Sequence, residues 1–184
     1  LHDIGKGLPG VRIINKKGNW SDPGHDVKGA ELAGIILARL KLPSDQAARV
    51  AWLVRRHMQI PQPDYAAVLK WLRRQSKEFN SAETMRQAIG ELLLLHWADR
   101  VGGHVDPGVE AWRSVDALTR QIFADVPFYP AQLAITGGDI AKELGMGEQV
   151  RGFQLDLLTR IQSGQLANSR EALLAALAQR VKRR

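Results

Sequence analysis

Apolar residues along this chain recur at three- and four-residue intervals rather than in alternation, a spacing that predicts helices almost throughout. In "HDVKGAELAGIILARLKL" (25–42), Val27, Ala30, Leu32, Ala33, Ile36, Leu37 and Leu40 follow helical spacing. Pro43 ends that helix, and Ser44 is the expected N-cap of a second one running through about Met58 and burying Ala47, Val50, Ala51 and Val54. After the "PQP" break, Asp64 can cap a helix over 65–75. Ser81 opens a long helix to Val101, whose unbroken "LLLL" predicts the centre of a bundle, and 109–126 reads as another. Residues 7–24 are glycine-rich, proline-punctuated and basic, hence a loop. No segment alternates strictly enough to predict a sheet.

A second organisation begins near Pro127. Two proline stops precede a short helix from Asp139 that ends at Gly145, and 148–163 with 168–181 form an antiparallel helical pair. Asn168 and Glu171 have the spacing of a capping box at the start of the last helix. The expectation is an all-α chain of two domains, 1–126 and 127–184, with no long linker.

Composition narrows the chemistry. The 184 residues are 45% hydrophobic and 24% charged, enough for a full core. Cysteine is absent, which excludes disulfides and thiolate metal sites and leaves histidine and carboxylate as metal ligands. No apolar run approaches the ~20 residues of a membrane span, and the start has neither the basic region nor the hydrophobic run of a signal peptide. A cytoplasmic location and no membrane partner are therefore expected. Net charge is +7, which on one face would favour a polyanion. Arg180, Lys182, Arg183 and Arg184 make the chain end locally basic. Both a solvated helix end favoured by the dipole and a phosphate-binding patch fit those four.

The five histidines fall in unequal contexts. His2-Asp3, in "HDIGKG", reads as the end of a helix closed by Gly5. Adjacent helical residues diverge by about 100°, so both can address one site only with a metal between them. With two metals, the Asp3 carboxylate can bridge while the imidazole takes one ion. Lys6, just past the turn, adds a cation for a phosphate oxygen. His25 opens a helix after a Pro-Gly turn, and His57 lies near the end of the next. Asp99 follows His96 by three residues, on the same helix face, where the preceding apolar run predicts a buried, paired carboxylate. Separate helices thus supply the candidates, as in metal sites inside helical bundles. His96 reads as a structural or supporting histidine, and His104 as a loop residue.

These residues resemble the HD-domain metal-dependent phosphohydrolases, whose pattern is an isolated His, then His-Asp, often two further histidines and a late Asp. "HDIGKG" matches the dyad, "GHDVKGAELA" and "VRRHM" the extra histidines, and "HWADRVGG" the closing aspartate. The isolated histidine has no counterpart, and Met58 stands where relatives often carry an acidic residue. "YPAQLAITGGDIAKELGMGEQVRGFQLDLLTRIQSGQLANSREALLAAL" resembles the carboxy-terminal arm of bacterial tRNA nucleotidyltransferases, the CCA-adding enzymes. That resemblance implies a carboxy-terminal fragment of such an enzyme, an HD-domain bundle followed by a small tRNA-binding arm, with a nucleotidyltransferase head expected upstream. It implies a divalent metal (Mg, Mn or Ni) bound by His2, Asp3, His25, His57 and Asp99, with Asp3 and Lys6 catalytic. The substrates would be 2′,3′-cyclic phosphates and related nucleotide phosphoesters, and the partner tRNA. An inert HD-fold tRNA-binding scaffold and a standalone HD nucleotide phosphohydrolase are the alternatives.

Overall fold

The computed structural model describes residues 1–103, 108–145 and 147–182. Among them the chain forms eight α-helices: α1 His25–Arg39, α2 Ser44–Arg56, α3 Tyr65–Gln75, α4 Ala82–Gly102, α5 Val109–Asp125, α6 Gly137–Leu144, α7 Glu148–Gln162 and α8 Arg170–Lys182. The expected all-α class holds, with one addition inside the predicted loop. Strands β1 (Ile13–Ile14) and β2 (Trp20–Ser21) pair antiparallel, Ile13 opposite Ser21 and Ile14 opposite Trp20. Strands of two residues are too short to carry an alternating pattern, so periodicity could not reveal them.

The helix starts follow local chemistry. Asp64 Oδ1 accepts from Ala67 N at 2.9 Å and Ser81 Oγ from Thr84 N at 3.2 Å, as expected of both residues. Three starts differ. Pro43 occupies the N-cap of α2, and Ser44 is its first helical residue. Helix α6 begins at Gly137 because Thr136 caps it, its hydroxyl accepting from Asp139 N while Asp139 accepts from Thr136 N. At α8, Ser169 Oγ rather than Asn168 accepts from Ala172 N. The Asn168 amide is used across the fold instead, accepting from Ala134 N and donating to the Gln132 carbonyl.

The chain divides into two compact units, residues 1–68 with 86–116 and residues 69–85 with 117–184. In the first, Ala30 and Ala33 of α1 pack on Val54 of α2, and Val54 alone of the four apolar α2 positions is fully buried. Leu92 and Leu93 of α4 are buried, yet Leu94 is 61% exposed. Successive helical positions turn by about 100°, so a run of four leucines cannot all face one core. The second unit buries Leu133 and Ile135 with Ile140 and Leu144 of α6, Phe153, Leu157, Leu158 and Ile161 of α7, and Leu173, Ala176 and Leu177 of α8. There the Tyr129 hydroxyl donates to the Ser76 carbonyl at 2.9 Å, and burial pushes its pKa up to about 12. Among the described residues, no helix is long and apolar enough to cross a membrane.

Candidate metal centre

The dyad lies in consecutive tight turns. Ile4 N donates to the Leu1 carbonyl at 3.0 Å and Lys6 N to that of Asp3 at 2.9 Å. The expected helix end closed by Gly5 is therefore replaced by a turn, and the left-handed φ belongs to Gly7, at 76°. Gly5 serves close approach. A Cβ there would overlap the His25 carbonyl oxygen and come within 2.8 Å of Gly29 N. A Cβ at Gly29 would in turn meet Gly5 N at 3.2 Å and Val54 Cγ1 at 3.3 Å. Two glycines thus let the dyad turn lie backbone-to-backbone on the first turn of α1, which begins with His25.

Asp22 ties the long loop to the same place. Its carboxylate accepts from Gly7 N at 3.0 Å and from Arg12 Nε and Nη2 at 3.0 and 3.2 Å. Hydrogen bonding to Arg12, then to Gly7, holds its pKa below the usual carboxylate range. Its carbonyl lies 2.7 Å from His25 Nδ1, and the Val54 carbonyl lies 2.7 Å from His57 Nδ1. A carbonyl only accepts, so each Nδ1 carries a proton, and a ring in its neutral form presents its lone pair at Nε2. Burial, foremost, pushes the His57 pKa down and favours that neutral form.

The two Nε2 atoms face each other at 3.3 Å, and Asp3 Oδ1 stands 3.4 Å from His25 Nε2 and 3.7 Å from His57 Nε2. Two imidazole nitrogens and a carboxylate oxygen converge there, an arrangement that suits a cation. A second group forms where His2 Nε2 lies 3.0 Å from Asp99 Oδ1 and 3.5 Å from Asp3 Oδ2. Within each group, Asp3-His25-His57 and His2-Asp3-Asp99, all ligating atoms fall within 4.8 Å of one another. Nitrogen and carboxylate donors of this kind fit a divalent ion of the first transition row or magnesium.

All five expected ligands therefore meet, and Asp3 belongs to both groups, one oxygen turned to each. Burial pushes the Asp3 pKa upward, but Lys6 with His2 and His25 outweighs it and holds the carboxyl below its ordinary range. Lys6 Nζ lies 2.6 Å from Asp3 Oδ2, inside the cluster rather than beyond it. Asp99 is half-buried. His96 hydrogen-bonds the backbone of His57, in keeping with the supporting reading, and its pKa is lowered by burial and then by Arg100. His104 lies outside the described residues.

Sequence reasoning missed Gly5 and Gly29 as packing residues, and Asp22 altogether; the glycine inside "HDIGKG" was the available signal. It also missed a basic groove of about 770 Å³ in the second unit, lined by Lys70, Arg73, Arg74, Lys77 and Arg151 beside Tyr129, with no carboxylate among the described residues of its wall. The signal there was "KWLRRQSK", whose four cations recur at i, i+3, i+4 and i+7. Of the tail cations, Arg180 and Lys182 are exposed near the end of α8, and Arg183 and Arg184 lie outside the described residues.

Residues 1–102 match the HD domain family. The A-adding tRNA nucleotidyltransferase of Deinococcus radiodurans is 40% identical over 101 residues, 54% of this chain and 20% of that protein. The CC-adding tRNA nucleotidyltransferase of Thermus thermophilus is 31% identical over 151 residues, 80% of this chain and 31% of that protein. The chain thus spans between a fifth and a third of the length of these relatives. No solved structure matches it.

Proposed function

The chain belongs to the HD domain family, and from that premise we propose that it is a metal-dependent phosphohydrolase acting on 2′,3′-cyclic phosphates and related nucleotide phosphoesters. HD domains bind divalent metals, and Mg, Mn or Ni is the ion we assign to His2, Asp3, His25, His57 and Asp99. The observation that carries the reading is the shared Asp3 carboxylate, with Oδ1 turned to Nε2 of His25 and of His57 and Oδ2 to His2. A divalent ion bound there supplies a water of lowered pKa and neutralises phosphoryl charge. The chain's own part is orientation. Asp22 and Val54 fix the tautomers of His25 and His57, and His96 steadies the backbone of His57. Lys6 stands against Asp3 with a cation for a phosphate oxygen. In a relative-sized protein these residues would form the HD part and carboxy-terminal arm of a cytoplasmic tRNA nucleotidyltransferase.

The test is hydrolysis of 2′,3′-cyclic AMP with Ni²⁺ or Mn²⁺. Asp3→Ala should lower kcat/KM by about a hundred- to ten-thousandfold, the scale of several kcal/mol of barrier. Activity that survives Asp3→Ala would sink the reading.

A second reading, an RNA-binding scaffold whose HD residues do no chemistry, is favoured by the five cations of the basic groove. A groove with cations and a tyrosine but no carboxylate suits a phosphate backbone. Replacing Arg73 and Arg74 by Glu should weaken tRNA capture and flatten its salt dependence by about one slope unit per lost contact. The same change at Arg180 and Lys182 measures the tail. If only the tail pair matters, the groove is not the interface.

A further inference from the structure

Beside the metal centre lies a cavity of about 480 Å³ that His25 and Lys6 share with it, and its outer wall carries Trp20, Asp22 and Met58. We propose that this cavity is a nucleobase subsite in which Trp20 stacks on the base of a nucleoside phosphate whose phosphate lies at the metal centre. The proposal rests on the phosphohydrolase reading above and adds what that reading leaves open, the feature by which a nucleotide is recognised.

Three observations carry it. Trp20 is 68% exposed and Met58 is 61% exposed, so two large apolar side chains are left to solvent on the wall of one cavity. Single exposed apolar residues are ordinary, whereas a pair lining a cavity beside a ligand cluster marks a place for an apolar group. The ring is also braced. Trp20 pairs with Ile14 in the hairpin, and the Arg12 guanidinium stands 6.0 Å from the ring centroid. Arg12 is itself held by both Asp22 oxygens, at 3.0 and 3.2 Å. A cation over one indole face, with so much of the ring still exposed, leaves the other face for a planar partner.

The third observation is connectivity. Asp22 anchors Arg12 through its carboxylate and His25 through its carbonyl, so one residue holds both the stacking platform and a metal ligand. A nucleoside monophosphate has an apolar, planar end and an anionic end. The cavity offers Trp20 and Met58 for the first, and the Lys6 ammonium and the metal centre for the second. Its volume falls within the range of small-ligand pockets. Stacking reads the π-face that every base shares, so the subsite would accept purines and pyrimidines alike.

The experiment is calorimetric titration of the chain, in Mn²⁺, with adenosine 5′-monophosphate and with ribose 5-phosphate. The base should tighten binding by about 5- to 150-fold, the measured range for stacking one base on an aromatic side chain. Trp20→Ala should bring that ratio toward one, and Trp20→Phe should keep most of it. Equal affinities in the parent chain, or a ratio untouched by Trp20→Ala, overturn the proposal. Because Trp20 is exposed, circular dichroism of the variants should match the parent. A dinucleotide ending in a 3′-phosphate separates the two sources of a base. Tighter binding than the mononucleotide, with the same Trp20 dependence, assigns the subsite to an RNA end; weaker binding assigns it to a free nucleotide. A parent chain that does not hydrolyse the cyclic phosphate but keeps the ratio would remove the phosphohydrolase reading and leave the subsite, and hydrolysis with a ratio of one would do the reverse.

Discussion

The two ligand groups share Asp3 but are built differently. His25 and His57 are 8% and 1% exposed, and each spends its Nδ1 proton on a backbone carbonyl 2.7 Å away. His2 and Asp99 are half-buried and already bonded to each other at 3.0 Å, with Lys6 on the shared carboxylate at 2.6 Å. In the first group both histidines are desolvated and their rings are oriented in advance. The second must give up internal partners before it can take a cation. Preorganisation therefore comes from the atoms behind the ligands, and the ligand types alone do not reveal it.

Four substitutions, three at the ligand groups and one away from them, put that contrast to the test. The largest effect is expected of Gly5→Ala, because its methyl would overlap the His25 carbonyl and push the dyad turn off α1. Overpacking of this kind costs about 1–3 kcal/mol or more, and here it should also lower metal affinity at both groups together. Thermal unfolding with and without Mn²⁺ measures both losses. A variant that retains the parent's metal-induced rise in Tm would show that the close approach does not position Asp3.

Next come His57→Ala and Asp99→Ala, which remove one ligand from each group. His57→Ala should lower affinity for the first bound ion by more than the ten- to hundredfold typical of losing a supporting partner, and Asp99→Ala by less. Metal titration by calorimetry ranks them. The reverse order would place the stronger site at the half-exposed group.

The smallest effect lies away from both groups. Asp139, hydrogen-bonded by Thr136 and then by Arg170, has its pKa lowered to about 2 from 3.8. A depressed carboxyl contributes stability that is present above its unfolded pKa and lost as pH falls through the folded one. Acid should thus weaken the second unit between about pH 4 and pH 2, and Asp139→Asn should flatten that stretch of a stability–pH curve. With this contribution removed, any remaining acid loss can be assigned elsewhere.

Much of this was legible residue by residue. Asp64 and Ser81 cap their helices because a short polar side chain reaches a backbone N–H two or three positions on, an entirely local event. Asn168 has the same local signature and breaks the rule, since its amide finds partners 34 and 36 positions away. The "LLLL" run overstated the core because a helix has faces, and Leu94 turns outward. The cations of "KWLRRQSK" had helical spacing in plain view, while the groove also needs Arg151 and Tyr129 from other elements.

The helices, most of their ends and the candidate donors could be read from the chain, since periodicity, capping and donor chemistry are properties of short segments, whereas the five-residue ligand set came from the family resemblance. Tertiary structure alone decided that His2 meets Asp99 across 97 positions and that His25 and His57 face each other across 32. It also turned the two oxygens of Asp3 in different directions. The dyad turn reaches α1 by backbone approaching backbone at Gly5 and Gly29, where the absence of a side chain is what matters, and pattern in a single chain registers the side chains that are present.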